Sequence, residues 1–186
     1  MTGGLLMDLA KKLYTIDDIY NLPEGHRAEL IDGVLYNMAP PSRKHQKIVS
    51  GLTTDFNLYI RSNNGDCEVY PSPFAVFLNH DDYTYVEPDL SIICNNDKLD
   101  DRGCNGAPDL IIEVTSPSSK RMDYIIKLFK YRSSGVREYW IIDPERQNVH
   151  VYLFGENETL EQYSFDDLIP VGIYQDLQIR IADYIS

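Results

Sequence analysis

Two acidic residues interrupt apolar runs that otherwise read as buried strands. Glu113 lies within Leu110 to Val114, and Asp89 lies within Val86-Glu87-Pro88-Asp89-Leu90-Ser91-Ile92-Ile93. An acid in such a place is costly unless hydrogen bonds or a metal ion hold it. Two carboxylates on different strands can converge on one Mg2+ or Mn2+, because these hard cations take one or two carboxylates and keep several waters. Such an ion acidifies a bound water and neutralises charge on a phosphate. Lys127 can supply a fixed positive charge beside it. Glu29 would make a fourth member of the set. The chemistry this set would perform is attack of a metal-activated water on a phosphate.

Each residue also has a plainer reading. A single acid near a strand end is usually solvated or salt-bridged. Asp123, four residues before Lys127, would make an ordinary helix ion pair with it. Asp109 competes with Asp89, since Asp109 and Glu113 share one strand face. Asp89 is favoured because ligands from two strands converge more easily, with Asp109 capping a strand start. His45 reads as a solvated or capping residue. The four histidines lack short metal-ligand spacing, and the sequence contains no glycine-rich phosphate loop and no serine nucleophile elbow.

The element that must place Glu113 and Lys127 is Ala107 to Asp143. It reads as strand, helix, strand, and so as a parallel pair with a helical crossover. Ser116 to Ser119 supplies the turn and N-cap. The helix then runs to about Ser134, with Gly135 as a left-handed C-cap. Met122, Ile125, Ile126 and Phe129 form its expected apolar side. Earlier, Thr15 and Asp18 open a short helix. Ala28 to Met38 is a hairpin about Asp32-Gly33. Ser42 caps a longer helix whose apolar face is Ile48, Leu52, Phe56 and Tyr59 or Ile60. Tyr83 to Cys94 reads as strand and Asn95 to Gly106 as a surface loop. Later short strands lie at Val149 to Phe154, Leu160 to Tyr163 and Gln178 to Ile181. The fold class is α/β: a mixed β-sheet core flanked by helices, with an N-terminal helix and hairpin layer and a β-rich C-terminal edge.

Several of these stretches, taken together, resemble the Uma family, a group of restriction-endonuclease-like proteins within the PD-(D/E)XK nuclease superfamily. They are Glu-Pro-Asp-Leu (87 to 90), Ala-Pro-Asp-Leu-Ile-Ile-Glu-Val-Thr-Ser-Pro-Ser (107 to 118), the Asp123, Lys127, Tyr131 spacing, and Gly-Val-Arg-Glu-Tyr-Trp-Ile-Ile-Asp-Pro (135 to 144). Glu-Leu-Ile-Asp-Gly (29 to 33) and His45 match the same pattern. The resemblance spans the chain from about Tyr14 onward. It implies a restriction-endonuclease-like core and a Mg2+-dependent nuclease acting on DNA. It makes Asp89 and Glu113 the catalytic acids and metal ligands. It puts the usual lysine at Thr115, a departure that Lys127 would make good from the following helix, and it makes Glu29 a further metal ligand. It also implies a homodimer that cuts two strands.

With 186 residues the expectation is one domain over 14–186 behind an N-terminal arm over 1–13. No run approaches the roughly eighteen apolar residues of a membrane span. The start of the chain lacks the pattern of a secretory signal. The three cysteines, without metal-site spacing, read as free thiols in a reducing cytoplasm. A net charge of −12 gives no help in approaching phosphates. The compact basic clusters are Arg43-Lys44-His45-Gln46-Lys47 and Lys120-Arg121, each also readable as a solvated helix start. A non-catalytic nucleic-acid-binding or regulatory module on the same fold is the alternative.

Overall fold

Local signals fix the first elements. The structure, a computed structural model, describes residues 12–185, so the expected arm lies outside the described residues except for Lys12 and Leu13. Helix α1 (Ile16–Tyr20) begins at Thr15, whose N–H donates to the Asp18 carboxylate at 2.8 Å. Strands β1 (Ala28–Ile31) and β2 (Val34–Asn37) pair antiparallel about Asp32 and Gly33, both at positive φ, as a tight two-residue turn requires. Helix α2 (Arg43–Ser62) starts at Ser42, whose Oγ accepts from the His45 N–H. Its inner face is Ile48, Val49, Leu52, Phe56 and Ile60.

Strands β3 (Glu68–Pro71), β4 (Val76–Phe77), β5 (Leu90–Ile93), β6 (Leu99–Asp100), β7 (Gly103–Asn105) and β8 (Leu110–Val114) follow. A helical segment of two kinds comes next: a π-helical stretch, Met122–Lys127, then α3 (Leu128–Ser134). Gly135 closes it at φ +92, the left-handed cap expected there. Strands β9 (Glu138–Asp143), β10 (Asn148–Leu153) and β11 (Thr159–Ser164) return, and β12 (Ile169–Pro170), β13 (Gln178–Ile179) and α4 (Ala182–Ile185) end the described chain.

The main sheet has six strands in the order β11-β10-β9-β8-β5-β3. Its one parallel pair is β8 with β9, on either side of the expected crossover. Side chains alternate across it. Leu110, Ile112, Val114, Trp140 and Ile142 face α2 and the C-terminal segment. Ile111, Tyr139 and Ile141 face the other way, toward Tyr131 of α3. Burying each large side chain stabilises the fold by about 1.5–3 kcal/mol.

Four expectations need correction. Of Tyr83 to Cys94 only β5 is continuous strand; Tyr85 and Val86 make single bridges to Leu30 and Val76. Pro88, which has no N–H to give a ladder, separates the two parts. The loop from Asn95 to Gly106 holds β6 and β7, and β7 joins β4 in a small separate sheet. The helix after β8 buries only part of the side expected: Met122 and Ile126 are half-buried against the core. Ile125 and Phe129 are 60% and 70% exposed, while Asp123, Lys127, Lys130 and Tyr131 are buried. Asp123, Lys127 and Tyr131, spaced four apart, share a face next to the apolar one, and that face is drawn inward by the bonds of Lys127 and Tyr131 to Glu113 and of Lys127 to Glu29.

The fourth correction concerns the thiols. Register pairs Glu68 with Ile93, so Cys67 and Cys94 come opposite one another and form a disulfide. Cys104 is free and buried. The cysteines therefore no longer argue for a reducing compartment. In denaturant without reductant, a thiol reagent should label one cysteine per chain. Reduction should lower the unfolding free energy by roughly 3 kcal/mol for a loop of this length. Labelling of three thiols would rule the pairing out.

Candidate functional site

Three elements converge on one buried ammonium. Lys127 comes from the end of the π-helical stretch, Glu113 from β8 and Glu29 from β1. The Lys127 Nζ stands 2.8 Å from Glu113 Oε1 and 2.8 Å from Glu29 Oε2. The reading that paired Lys127 outward with Asp123 alone is not what the fold builds. Tyr131, one turn further along the helix, donates its hydroxyl to the same Glu113 Oε1 at 2.7 Å. Glu29 Oε1 accepts from the main-chain N–H of Glu87 at 3.0 Å. That bond ties the hairpin to the segment that carries Asp89. A second pair, Lys130 with Asp32 at 2.5 Å, fastens the tip of the hairpin to the same helix.

Asp89 stands just before β5, beside β8. Its Oδ2 accepts from the Val114 N–H at 2.7 Å, and its own N–H lies 3.5 Å from Glu113 Oε2. His45 Nε2 lies 3.0 Å from the same Oδ2, with the ring mostly buried. In the tautomer protonated at Nε2, His45 donates to Asp89. It is thus part of the site and not the solvated residue expected. Sequence reasoning missed this because the partner is 44 residues away; the only signal was its match to the resembled pattern. Asp109 stands apart. It accepts from the Cys94 N–H and pairs with Arg137, consistent with its role at a strand start.

Electrostatics make this a site short of positive charge. Burial pushes the Glu113 carboxyl well above the ordinary carboxylate range; Lys127 opposes that, while Asp89, Asp123 and Glu29 add to it. Burial also works against the charge on Lys127. Glu113, Glu29 and Asp123 outweigh it and keep the ammonium protonated. Asp123 is raised from 3.8 to about 6, chiefly by burial, with Lys127 and a hydrogen bond from Ser119 pulling it back. Two carboxyl groups contact the ammonium and two more, Asp123 and Asp89, act on Glu113 beside it, so full ionisation leaves an excess of negative charge in the site.

These residues line one cavity of about 890 Å³, walled by the Met38 to Ser42 loop on one side and Ser116 to Ser119 on another. Two buried polar atoms on its lining, Thr115 Oγ1 and His45 Nδ1, have no hydrogen-bond partner among the described residues. Thr115 occupies the position where the resemblance puts a lysine, and it is buried. Among the described residues no three His, Cys, Asp or Glu side chains form a ready metal cage. Mg2+ does not need one, because one or two carboxylates and retained waters suffice. Asp89 and Glu113 fit that requirement, and the excess negative charge favours a cation there.

Comparison with known proteins identifies the family. The sequence profile of the Uma2 family, described as "Putative restriction endonuclease", matches residues 16–182. The chain belongs to the Uma2 family. A protein of Synechocystis sp. (strain ATCC 27184 / PCC 6803 / Kazusa), named "Uncharacterized protein slr1290", is 28% identical over 131 residues, which is 69% of this chain and 67% of that protein. Among solved structures, the chain resembles a crystal structure titled as a "putative nuclease belonging to DUF820" from Anabaena variabilis. That likeness has a TM-score of 0.73 at 22% identity, and covers 92% of this chain and 97% of the other. It establishes the shared α/β fold. Among the described residues no helix is long and apolar enough to cross a membrane.

The Asp123 shift carries a pH dependence. Its carboxyl binds a proton more tightly in the folded chain than at the ordinary 3.8. The stability this contributes is whole below about pH 4 and is lost as pH rises through about 6. In Asp123→Asn the side chain cannot ionise. With a chelator present, its melting temperature should therefore rise relative to the wild-type chain between pH 4 and pH 7. A difference that stays flat across that range would show that Asp123 titrates as an ordinary acid.

Proposed function

We propose that this chain is a divalent-metal-dependent nuclease of the PD-(D/E)XK kind, hydrolysing phosphodiester bonds of DNA. The observation that carries the reading is the meeting of Asp89, Glu113 and Lys127 at one cavity wall, from two strands and a helix. In this reading Asp89 and Glu113 hold Mg2+ or Mn2+. Bound there, the ion would neutralise phosphate charge and supply an acidified water. The Val114 N–H and His45 fix Asp89 through Oδ2. Lys127 and Tyr131 fix Glu113 through Oε1, which leaves Oε2 as the oxygen offered to the ion. The Lys127 ammonium, held charged and immobile, stabilises charge that develops on the phosphate. Glu29, expected as a further ligand, gives one oxygen to Lys127 and the other to the Glu87 N–H. It serves the site by orienting the lysine. A second copy of the chain is needed only where both strands of a duplex are cut.

A second reading, a non-catalytic module on the same fold, draws on the same lysine. An ammonium clasped by two carboxylates also holds three elements together. Metal binding separates the two readings, because a ligand that binds only the folded state raises its apparent stability.

Millimolar Mg2+ or Mn2+ should raise the melting temperature of the wild-type chain and not that of Asp89→Asn. Asp89→Asn and Glu113→Gln should abolish cleavage of DNA while keeping the fold. Lys127→Ala should cut the rate by about a hundredfold or more. It should also lose roughly 3–5 kcal/mol of stability, since Glu29 and Glu113 are left buried without their partner. Its rate is therefore to be measured well below its own melting temperature. Normal cleavage by Asp89→Asn or Glu113→Gln would refute the assignment of the acids.

A further inference from the structure

The cavity is larger and more apolar than a phosphate site needs. Its volume, about 890 Å³, lies in the range that whole small molecules occupy. Asp89, Glu113 and Lys127 take up one part of its wall. Another part is Tyr36, Met38, Pro40 and Pro41, from the end of β2 and the loop that leads to α2. The register of the hairpin puts the two parts side by side. Tyr36 is the direct cross-strand partner of Glu29. Residues so paired project from the same face, with Cβ atoms about 5 Å apart. The tyrosine therefore stands next to the carboxylate that holds Lys127.

A double helix has little to offer such a wall. Its base faces are hidden in the stack, and only base edges, sugars and phosphates reach a protein surface. An unpaired strand exposes base faces, and these settle on aromatic and apolar side chains. Burial adds to the argument. Glu29, Glu113 and Lys127 are only 3–5% exposed, so the phosphate must come down to them between the two loops. Charge points the same way. Duplex DNA carries one negative charge per about 1.7 Å, twice the linear density of one of its strands. The chain it must approach has a net charge of −12, and the cations on the cavity lining apart from Lys127 are Arg27 and Lys44.

We propose that the cavity receives an unpaired DNA strand, with one base against Tyr36 and the Met38 to Pro41 wall and the adjoining phosphodiester at Asp89 and Glu113. The proposal rests on the nuclease reading and names its substrate. Arg27, paired with Glu87 and bonded to Ser72 Oγ, and Lys44, bonded to the carbonyl of Pro144, then lie on the lining to meet flanking phosphates.

The test uses the full chain carrying Asp89→Asn, so that bound DNA is not consumed. Fluorescence anisotropy compares a labelled 12-nucleotide single strand with the same sequence as a duplex. The single strand should bind at least about tenfold more tightly. Adding Tyr36→Ala should weaken single-strand binding by about tenfold, the scale of one lost base–aromatic contact, and leave duplex binding as it was. Tyr36→Phe should keep the affinity. Met38→Ala, in the loop, gives a second probe should Tyr36→Ala melt early, and it should also weaken the single strand selectively. Equal or tighter binding of the duplex, or equal weakening of both forms, would overturn the proposal. A Tyr36-dependent single-strand preference in a protein that cuts no DNA would uphold it and sink the nuclease reading. Asp89-dependent cleavage of both forms alike, insensitive to Tyr36, would do the reverse.

Discussion

The position of every element around the site follows from one buried ammonium. Taking Lys127 and its partners out of water is unfavourable, and their attraction offsets that only where further hydrogen bonds complete the set. The chain provides them. Tyr131 donates to Glu113, and the Glu87 N–H donates to Glu29. Each bond recruits a different element, so the hairpin, the Glu87 to Asp89 segment, β8 and the helix are held in one arrangement. The balance of charge is nonetheless wrong for a purely structural cluster. One lysine contacts Glu29 and Glu113, with Asp123 and Asp89 close by in the same site, and two of those four carboxyls are pushed toward their protonated forms by burial. A cluster that served the fold alone would gain from fewer acids. That surplus is the electrostatic condition on which the metal-dependent reading draws.

Much of this was legible because its signals are local. Asp32-Gly33 specifies a two-residue turn. Ser42 and the spacing of Ile48, Leu52, Phe56 and Ile60 specify a capped helix with one apolar face. An apolar run, a capped helix and a second apolar run specify β8, the crossover and β9. The two acids were legible as well, since carboxylates inside such runs are conspicuous. What escaped depends on register and on distant contacts. His45 sits beside Asp89 only because α2 lies across the sheet. Cys67 and Cys94 meet only because β3 and β5 pair as Glu68 with Ile93. No spacing along the chain encodes either fact.

The reversed face of the helix has a physical cause of its own. Counting at 3.6 residues per turn puts Met122, Ile125, Ile126 and Phe129 inward. The same count puts Asp123, Lys127 and Tyr131 together on the neighbouring face, and it is that face that turns inward, because Glu113 and Glu29 take the Lys127 ammonium and Glu113 takes the Tyr131 hydroxyl. Ile125 and Phe129 are left in solvent, so the fold forgoes about 1.5–3 kcal/mol for each side chain it could have buried. A helix selected for stability alone would not do this. The π-helical stretch carries Asp123 and Lys127, and wider turns of this kind recur at functional sites.

That geometry also changes what kind of site this is. The resemblance put the lysine at Thr115, two residues beyond Glu113 and on the same face of the strand. A lysine there would share a rigid strand with the acid and hold a fixed distance from it. At Lys127 the charge rides on a separate element, and its distance from Glu113 depends on how the helix seats against the sheet. The hairpin then has a part in placing that charge, because Glu29 with Lys127 and Asp32 with Lys130 fasten the helix at two points three residues apart. A shift of the hairpin loosens the ammonium from Glu113 and moves Tyr36 by the same displacement, since Tyr36 and Glu29 are paired across the hairpin. The cavity wall and the buried ammonium are therefore coupled through Glu29 and Tyr36, and whatever settles against the wall also bears on where the charge stands.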